Sequence, residues 1–371
     1  MPKTALYWDE KCFWHTGHGY TFTALTGGLV QPLAAGGLPE DPETKRRMKN
    51  LLDVTGLIND LDARSSEPAT QEDLLRVHPA SYLDAFKKLS DEHGGELTYG
   101  GRASFGNGSY EIAALSAGLV KHALLNTLNG THKNAYALSR PPGHHCTPDK
   151  PQGFCLLANI AIAIEAAKAT QPDLKIAVVD WDVHHGNGTE AIFYDRPDVL
   201  TISIHQEHNY PWDTGDVEDT GKDNSNMNIP LPPGAGHATY LEAMERLIIP
   251  KLAQFKPDVV IVACGFDASG VDPLSRMIAG SNTFQSMTQS LMEFTANHCR
   301  DRLVMAHEGG YSEVHVPFCG HAVLQTMSGS DVSAEDPLGP RMAAQQPNGE
   351  MNSIYSDLIS RYAKTFGLTT T

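Results

Sequence analysis

The sequence predicts an α/β protein with a doubly wound, mostly parallel sheet in a single domain. Two observations carry this. Short, evenly apolar runs alternate with longer segments of helical periodicity, and polar, glycine-rich clusters sit directly after four of those runs. The clearest runs are 176–179, 199–204, 258–263 and 302–306. Their interiors are too uniformly apolar for a sheet wet on one face, as expected of parallel strands covered on both sides.

Taken in order, residues 3–8 suit a first strand. Residues 9–41 are rich in Gly, Thr, Pro and aromatic side chains and lack helical periodicity, the mark of a functional or interface loop. Pro42-Glu43 opens a helix with proline in its first turn. Residues 72–89 carry spaced apolar positions (Leu74, Leu75, Tyr82, Leu83, Phe86) and read as helix, interrupted near His78-Pro79. A glycine-rich loop, 94–108, precedes a helix over 110–128. The strand 135–138 runs into Arg140-Pro-Pro-Gly-His-His145, and 156–168 is an Ala/Ile-rich helix. The central strand 176–179 is followed by a short helix to Phe193. The strand 199–204 ends in His205-Gln206 and a loop containing Tyr210-Pro-Trp212. Helices over 237–255 and 283–299 flank the strand 258–263, which ends in Cys264-Gly-Phe-Asp267. The strand 302–306 ends in His307-Glu308-Gly-Gly-Tyr311. No linker, internal repeat or low-complexity segment divides the chain, so residues 1–371 form one domain; 369–371 are expected to fray.

Bulk composition narrows the function. Among 371 residues, 28 Lys and Arg face 44 Asp and Glu, a net charge of −16. No basic stripe is available to pair with phosphates, which excludes a general nucleic-acid binder. The amino terminus lacks a basic-then-apolar signal pattern, and no apolar stretch reaches membrane-spanning length. The six cysteines are scattered without a C-x-x-C pair. Reduced thiols and a cytoplasmic protein are therefore expected, with no cysteine as metal ligand.

The chemistry concentrates after the central strand. Asp182 and His184 are two apart, so an extended chain points both the same way, and Asp180 shares their parity one step deeper. Oxygen and nitrogen donors of this kind suit zinc; an N-cap cluster for the helix near Gly188 is the competing reading. Asp267, after an apolar strand and a glycine, is the candidate third ligand, with an N-cap again the alternative. Two Asp and one His leave coordination positions open, as catalytic sites do. His144 and His145 fit general acid/base work, with Asp180 and Asn187 as orienting acceptors; a pair of structural histidines is the alternative. Tyr311 follows two glycines, a turn that can bring its hydroxyl to an oxyanion or be only a turn.

Taken together, Arg140-Pro-Pro-Gly-His-His145, Gly153-Phe154-Cys155, Asp180-Trp-Asp-Val-His-His-Gly-Asn-Gly188, Gly265-Phe-Asp267 and Glu308-Gly-Gly-Tyr311 resemble the signature of zinc-dependent histone deacetylases over roughly residues 42–329. The resemblance is to class II enzymes, particularly bacterial histone-deacetylase-like amidohydrolases. It implies an arginase/deacetylase fold with an eight-stranded sheet, and zinc-dependent hydrolysis of N-acetyl-lysine in a peptide or protein, or of a related acylated amine. It further implies zinc on Asp182, His184 and Asp267. His145 is then general base and acid, His144 its electrostatic partner, and Tyr311 the group polarising the carbonyl. Phe154 and Tyr210 match the walls of an acyl-lysine tunnel, and Gly153 a backbone contact to substrate. A structural potassium ion is implied beneath the zinc, on backbone carbonyls of Asp180, Asp182 and His184 and on Ser203.

Three positions depart from that pattern. Arg102 sits in the glycine-rich loop where many relatives place an acid that grips substrate backbone. Leu274 stands where a polyamine-preferring enzyme places Glu, which weighs against the alternative of an acetylpolyamine substrate. The 9–41 stretch is longer than the usual loop there, and is assigned to the pocket rim and to contacts in a homo-oligomer, tetramer or dimer. Two further alternatives are a binuclear manganese hydrolase, for which Asn187 and the histidine pair replace the needed carboxylates, and a non-catalytic acyl-ligand binder, against which an intact Tyr311 argues. Cys146 and Cys155 flank the site in sequence, so either peroxide sensitivity or two inert buried thiols follows.

Overall fold

The computed structural model describes residues 3–21, 23–32 and 39–368. The expected frayed end, 369–371, and part of the long amino-terminal stretch, 33–38, lie outside these. Eight strands form one sheet: β1 (Ala5–Tyr7), β2 (Asp62–Arg64), β3 (Ala135–Ala137), β4 (Ile176–Asp180), β5 (Val199–Gln206), β6 (Asn226–Leu231), β7 (Val259–Cys264) and β8 (Leu303–His307). Their order is β2-β1-β3-β8-β7-β4-β5-β6, and every pairing is parallel. The main sheet is thus wholly rather than mostly parallel.

The topology explains where the site must form. The chain builds β1 to β3 on one side, then β4 to β6 on the other, and later fills the gap with β7 and β8. The four strands that end in polar clusters, β3, β8, β7 and β4, are therefore consecutive neighbours. Ala137 pairs with Ala306, Ala306 with Ala263, and Ala263 with Asp180, so these ends are level. Small alanines at this level leave room for the loops to converge just beyond, where open parallel sheets carry ligands.

Strands β4, β5, β7 and β8 are buried along their whole length, as their unbroken apolar runs predict. Helices Ser109–Leu128 and Asn159–Thr170 pack together, as do Ser281–His298 and Val316–Ser328, the latter also meeting Glu43–Thr55. That last contact is close because position 320 is glycine: a Cβ there would stand 2.3 Å from the Met48 sulfur. The helix expected over 237–255 is instead His237–Ala243 and Ile249–Phe255, joined by a π-helical turn, Met244–Ile248. Pro250 lacks an N–H to continue the α-helical ladder, and the wider turn absorbs the break. The interruption near His78-Pro79 falls between Gln71–Leu75 and Ala80–Glu92. No helix among the described residues is long and apolar enough to cross a membrane.

Candidate active site

Just beyond β4 the chain bends over residues 182–184, with the Asp182 carboxylate accepting from the His184 N–H at 2.9 Å, and brings Asp182 and His184 to one point. His184 Nδ1 lies 3.0 Å from Asp182 Oδ1 and 3.1 Å from Asp267 Oδ2, the latter carried by the turn after β7. All three side chains are buried, and their donor atoms lie within 4.8 Å of one another. The remaining oxygens are held by backbone: Val183 N–H donates to Asp267 Oδ1 at 2.7 Å and Gly309 N–H to Asp182 Oδ2 at 2.8 Å. Glycines enclose the cluster because nothing larger fits. A Cβ at Gly265 would stand 2.2 Å from Asp182 Oδ2, and one at Gly309 2.2 Å from Asp267 Oδ2.

Electrostatics at this point call for a cation. Burial and the Asp182 charge push the Asp267 carboxyl up to about 6. Burial opposes charge on His184 as well, but its bonds to Asp182 and Asp267 carry it to about 10. Two buried carboxylates repel each other unless a positive charge lies between them; the His184 proton fills that place here, and a divalent cation on the same three donors would displace it. Bond lengths of about 2.0–2.2 Å put tetrahedral donors roughly 3.3–3.6 Å apart, a few tenths of an ångström beyond the 3.0 and 3.1 Å from His184 to the two carboxylates. The residues present fit a divalent metal.

The paired imidazoles stand alongside, their centroids 3.9 Å apart. His144 Nδ1 lies 2.9 Å from Asp180 Oδ2, and His145 Nδ1 lies 2.8 Å from Asn187 Oδ1. The two rings differ in charge preference. Burial disfavours charge on both, yet the Asp182 and Asp180 carboxylates hold His144 well above the usual imidazole range. Burial and the positive His144 and His184 push His145 well below it. Gly186 permits the His144–Asp180 contact, since a Cβ there would overlap Asp180 Oδ2 at 2.1 Å. Glu308, after β8, ties the histidine turn down by accepting from Gly143 N–H at 2.7 Å and His144 N–H at 3.1 Å. Donors of His144, Cys155 and Glu308 also converge within 4.8 Å. There, however, His144 is engaged by Asp180, and burial holds the Cys155 thiol far above its ordinary range. Cys146 is likewise buried and pushed up to about 12, so both cysteines favour the protonated, unreactive thiol.

A cavity of about 350 Å³ opens from this cluster, lined by His145, His184, Phe154, Tyr210, Leu274 and Tyr311. Tyr210 stands edge-on to His145 at 5.0 Å, and Phe154 to Tyr311 at 5.8 Å. Gly153 also lines the cavity at φ +55°, where a Cβ would meet His145 Cδ2 at 2.2 Å. The Tyr311 hydroxyl faces the metal donors: the Cβ position of Gly309 is 3.0 Å from it and 2.6 Å from Asp182 Oδ2. Pro39, Glu96, Arg102, Ser104, Asn209 and Trp212 complete the lining. The structure thus brings Asp182, His184, Asp267, His144, His145 and Tyr311 together, with Gly153, Phe154, Tyr210 and Leu274 on the cavity wall and Asp180 and Asn187 behind the histidines; Ser203 lies on the neighbouring strand, in register with Asp180.

Other residues that no sequence motif names also shape the site. Glu40 Oε1 accepts from Arg140 Nε at 2.9 Å and Lys45 Nζ at 3.1 Å, all three fully buried, and the Lys45 ammonium lies 5.9 Å from the Tyr311 ring centroid. Asp272 accepts from the Tyr311 N–H at 2.8 Å and fixes the tyrosine turn. Only the Arg140 motif hinted at this ion cluster, and nothing in its spacing named Glu40 or Lys45 as partners.

The histone deacetylase domain profile matches residues 38–327. A histone deacetylase-like amidohydrolase of Pseudomonas aeruginosa is 52% identical over 369 residues, covering 99% of this chain and 97% of that protein. Histone deacetylase 8 of Arabidopsis thaliana is 32% identical over 358 residues, 92% of this chain and 93% of its own. The crystal structure of the HDA15 HD domain superposes with a TM-score of 0.79 at 28% identity, covering 99% of this chain and 98% of that one. With a fold, a strand-end site and a near full-length relative in agreement, the chain belongs to the histone deacetylase family.

Proposed function

We propose that this protein is a zinc-dependent deacylase that hydrolyses Nε-acetyl-lysine or a closely related acyl amide. One observation carries the reading: three buried metal donors, a neutral-leaning imidazole and a phenol all meet at the floor of one narrow, aromatic-walled cavity. Asp182, His184 and Asp267 would hold the zinc, which when bound supplies Lewis-acid polarisation of the substrate carbonyl and of a water. His145, held neutral, takes a proton from the attacking water and returns it to the leaving amine. His144, cationic against Asp180, stays charged and stabilises negative charge developing beside it. Tyr311 donates its hydroxyl proton in a hydrogen bond to the carbonyl oxygen as that oxygen becomes an oxyanion. Phe154, Tyr210 and Leu274 enclose the acyl-bearing chain and exclude water, while Gly153 leaves the width for it.

Three finer readings belong with this one. Potassium beneath the site suits the carbonyls of Asp180, Asp182 and His184 together with the Ser203 hydroxyl. The long amino-terminal stretch supports a homo-oligomer: Tyr20 and Leu29 are mostly exposed there, and Pro39 reaches the cavity mouth. Six unpaired cysteines suit a reducing, cytoplasmic setting. The main test is cleavage of fluorogenic acetyl-lysine and trifluoroacetyl-lysine amides by metal-loaded protein. Turnover that a chelator abolishes and zinc restores is expected; no zinc-dependent cleavage of either would return the protein to the acyl-ligand binders. An acetylpolyamine run alongside should be the poorer substrate, because Leu274 offers no charge to a distal ammonium.

A further inference from the structure

We infer that Arg102 makes the cavity mouth an anion subsite, so that the preferred substrates are acyl amides with a carboxylate at the far end, such as free or carboxy-terminal Nε-acyl-lysine. This rests on the deacylase reading. The Arg102 guanidinium lies 5.0 Å from the Trp212 ring centroid and 5.6 Å from that of Tyr210, and those two rings stand nearly perpendicular. Stacking on aromatic faces holds a guanidinium in place and leaves its N–H edges open to a planar carboxylate. The backbone beneath it is also pinned. Arg102 adopts φ +55°, its carbonyl accepts from Phe154 N–H at 3.0 Å, and the Gly101 carbonyl accepts from Gly153 N–H at 2.9 Å. The arginine is thereby bonded to the cavity wall rather than free to swing with the loop.

Its charge is unspent. Arg102 is exposed at the mouth and forms no ion pair among the described residues, and the remaining residues, 1–2, 22, 33–38 and 369–371, carry no acidic side chain. In a chain of net charge −16, an unpaired cation at the mouth of the active-site cavity is a local inversion of sign. Glu96 shares the mouth, yet it is not within ion-pairing distance of the guanidinium and stands as the opposing charge on which cationic ends would otherwise dock. When an acyl-lysine is seated with its amide at the metal donors, four methylenes carry its α-carbon out to this rim. A free α-carboxylate then emerges beside Arg102, whereas a polyamine brings an ammonium to the same place and is repelled.

The test compares kcat/KM for a peptide ending in Nε-acetyl-lysine with a free carboxylate and for its carboxy-terminal amide. Wild type should favour the acid by about fivefold, the upper range for an exposed pair, mostly through KM, and the preference should shrink as salt rises. Arg102→Gln should bring the ratio to about one, and Arg102→Glu should take it below one. A wild-type ratio of one or less, or a ratio that survives Arg102→Gln, overturns the subsite while leaving deacylation standing. Failure of wild type to cleave either peptide overturns both readings.

Discussion

The Nδ1 of His145 lies 2.8 Å from the amide oxygen of Asn187. Its neighbour His144 meets a carboxylate instead, Asp180, at 2.9 Å. One buried pair is therefore split: the Asp182 and Asp180 carboxylates hold His144 cationic, while burial and the charges of His144 and His184 keep His145 neutral, and the uncharged Asn187 does too little to reverse that. An imidazole must be neutral to act as a base, and its low affinity for protons keeps His145 neutral into acidic solution. Asn187→Asp replaces the amide with a negative charge, which raises the His145 pKa. The neutral fraction at a given acidic pH falls, so the acid limb of the kcat/KM profile should move up by about one pH unit or more. A mutant profile that superimposes on the wild type's would show that Asn187 does not govern the base.

Metal binding and transition-state stabilisation are separable here because the donors and Tyr311 come from different turns. Tyr311→Phe removes one hydrogen bond to the developing oxyanion and none of the donors. Its kcat should fall by about 10²–10³-fold with metal content intact by atomic emission. Asp267→Ala removes an anionic donor and should lose the metal, and with it activity. Full metal occupancy in Asp267→Ala would contradict the ligand set.

Gly309 lies outside the left-handed region that Gly310 occupies at φ +119°, so what a side chain would violate there is space. A Cβ there would lie 2.2 Å from Asp267 Oδ2 and 2.6 Å from Asp182 Oδ2. Gly309→Ala should push both carboxylates apart and weaken metal affinity by about 10–100-fold, the range for disturbing groups that orient ligands. Competition with a chelator measures this, and circular dichroism checks that the sheet survives. Unchanged affinity would mean that the turn after β8 gives way more easily than its bond from Gly309 N–H to Asp182 suggests.

The legible parts of the fold and site share a cause. Buried parallel strands announce themselves as apolar runs, and residues that gather at strand ends are found by following each run to its stop. Strands β2 and β6 escaped because both are sheet edges. Asp62-Ala-Arg64 is charged at both ends, and Asn226–Leu231 contains two asparagines and Pro230, residues that an edge tolerates and a central strand does not. Glu40 and Lys45, the partners of Arg140, escaped for a different reason. Buried ion clusters have no period, and their partners are joined only by the tertiary fold. Arg102 was visible as a departure from pattern, but its stacking on Tyr210 and Trp212 depends on two loops meeting.

The Glu40 cluster carries a stability prediction. One carboxylate serves two buried cations, Arg140 and Lys45, and two carbonyls, of Cys12 and His15, accept from Arg140 at 3.1 and 2.8 Å. Burial opposes charge on Glu40, but Arg140 and Lys45 outweigh it and hold the carboxyl below its usual range. Glu40→Gln leaves both cations uncompensated, and breaking a buried pair in this way costs about 3–5 kcal/mol, read as a lower denaturant midpoint near pH 7. The folded-state pKa is depressed, so the Glu40 contribution is fully present above the unfolded carboxyl's value, about 4.3. It is lost as pH falls through the folded value. The gap between wild type and Glu40→Gln should therefore close in acid. A gap that stayed constant down to pH 3 would mean that packing, rather than the carboxylate's charge, secures this corner against the Tyr311 turn.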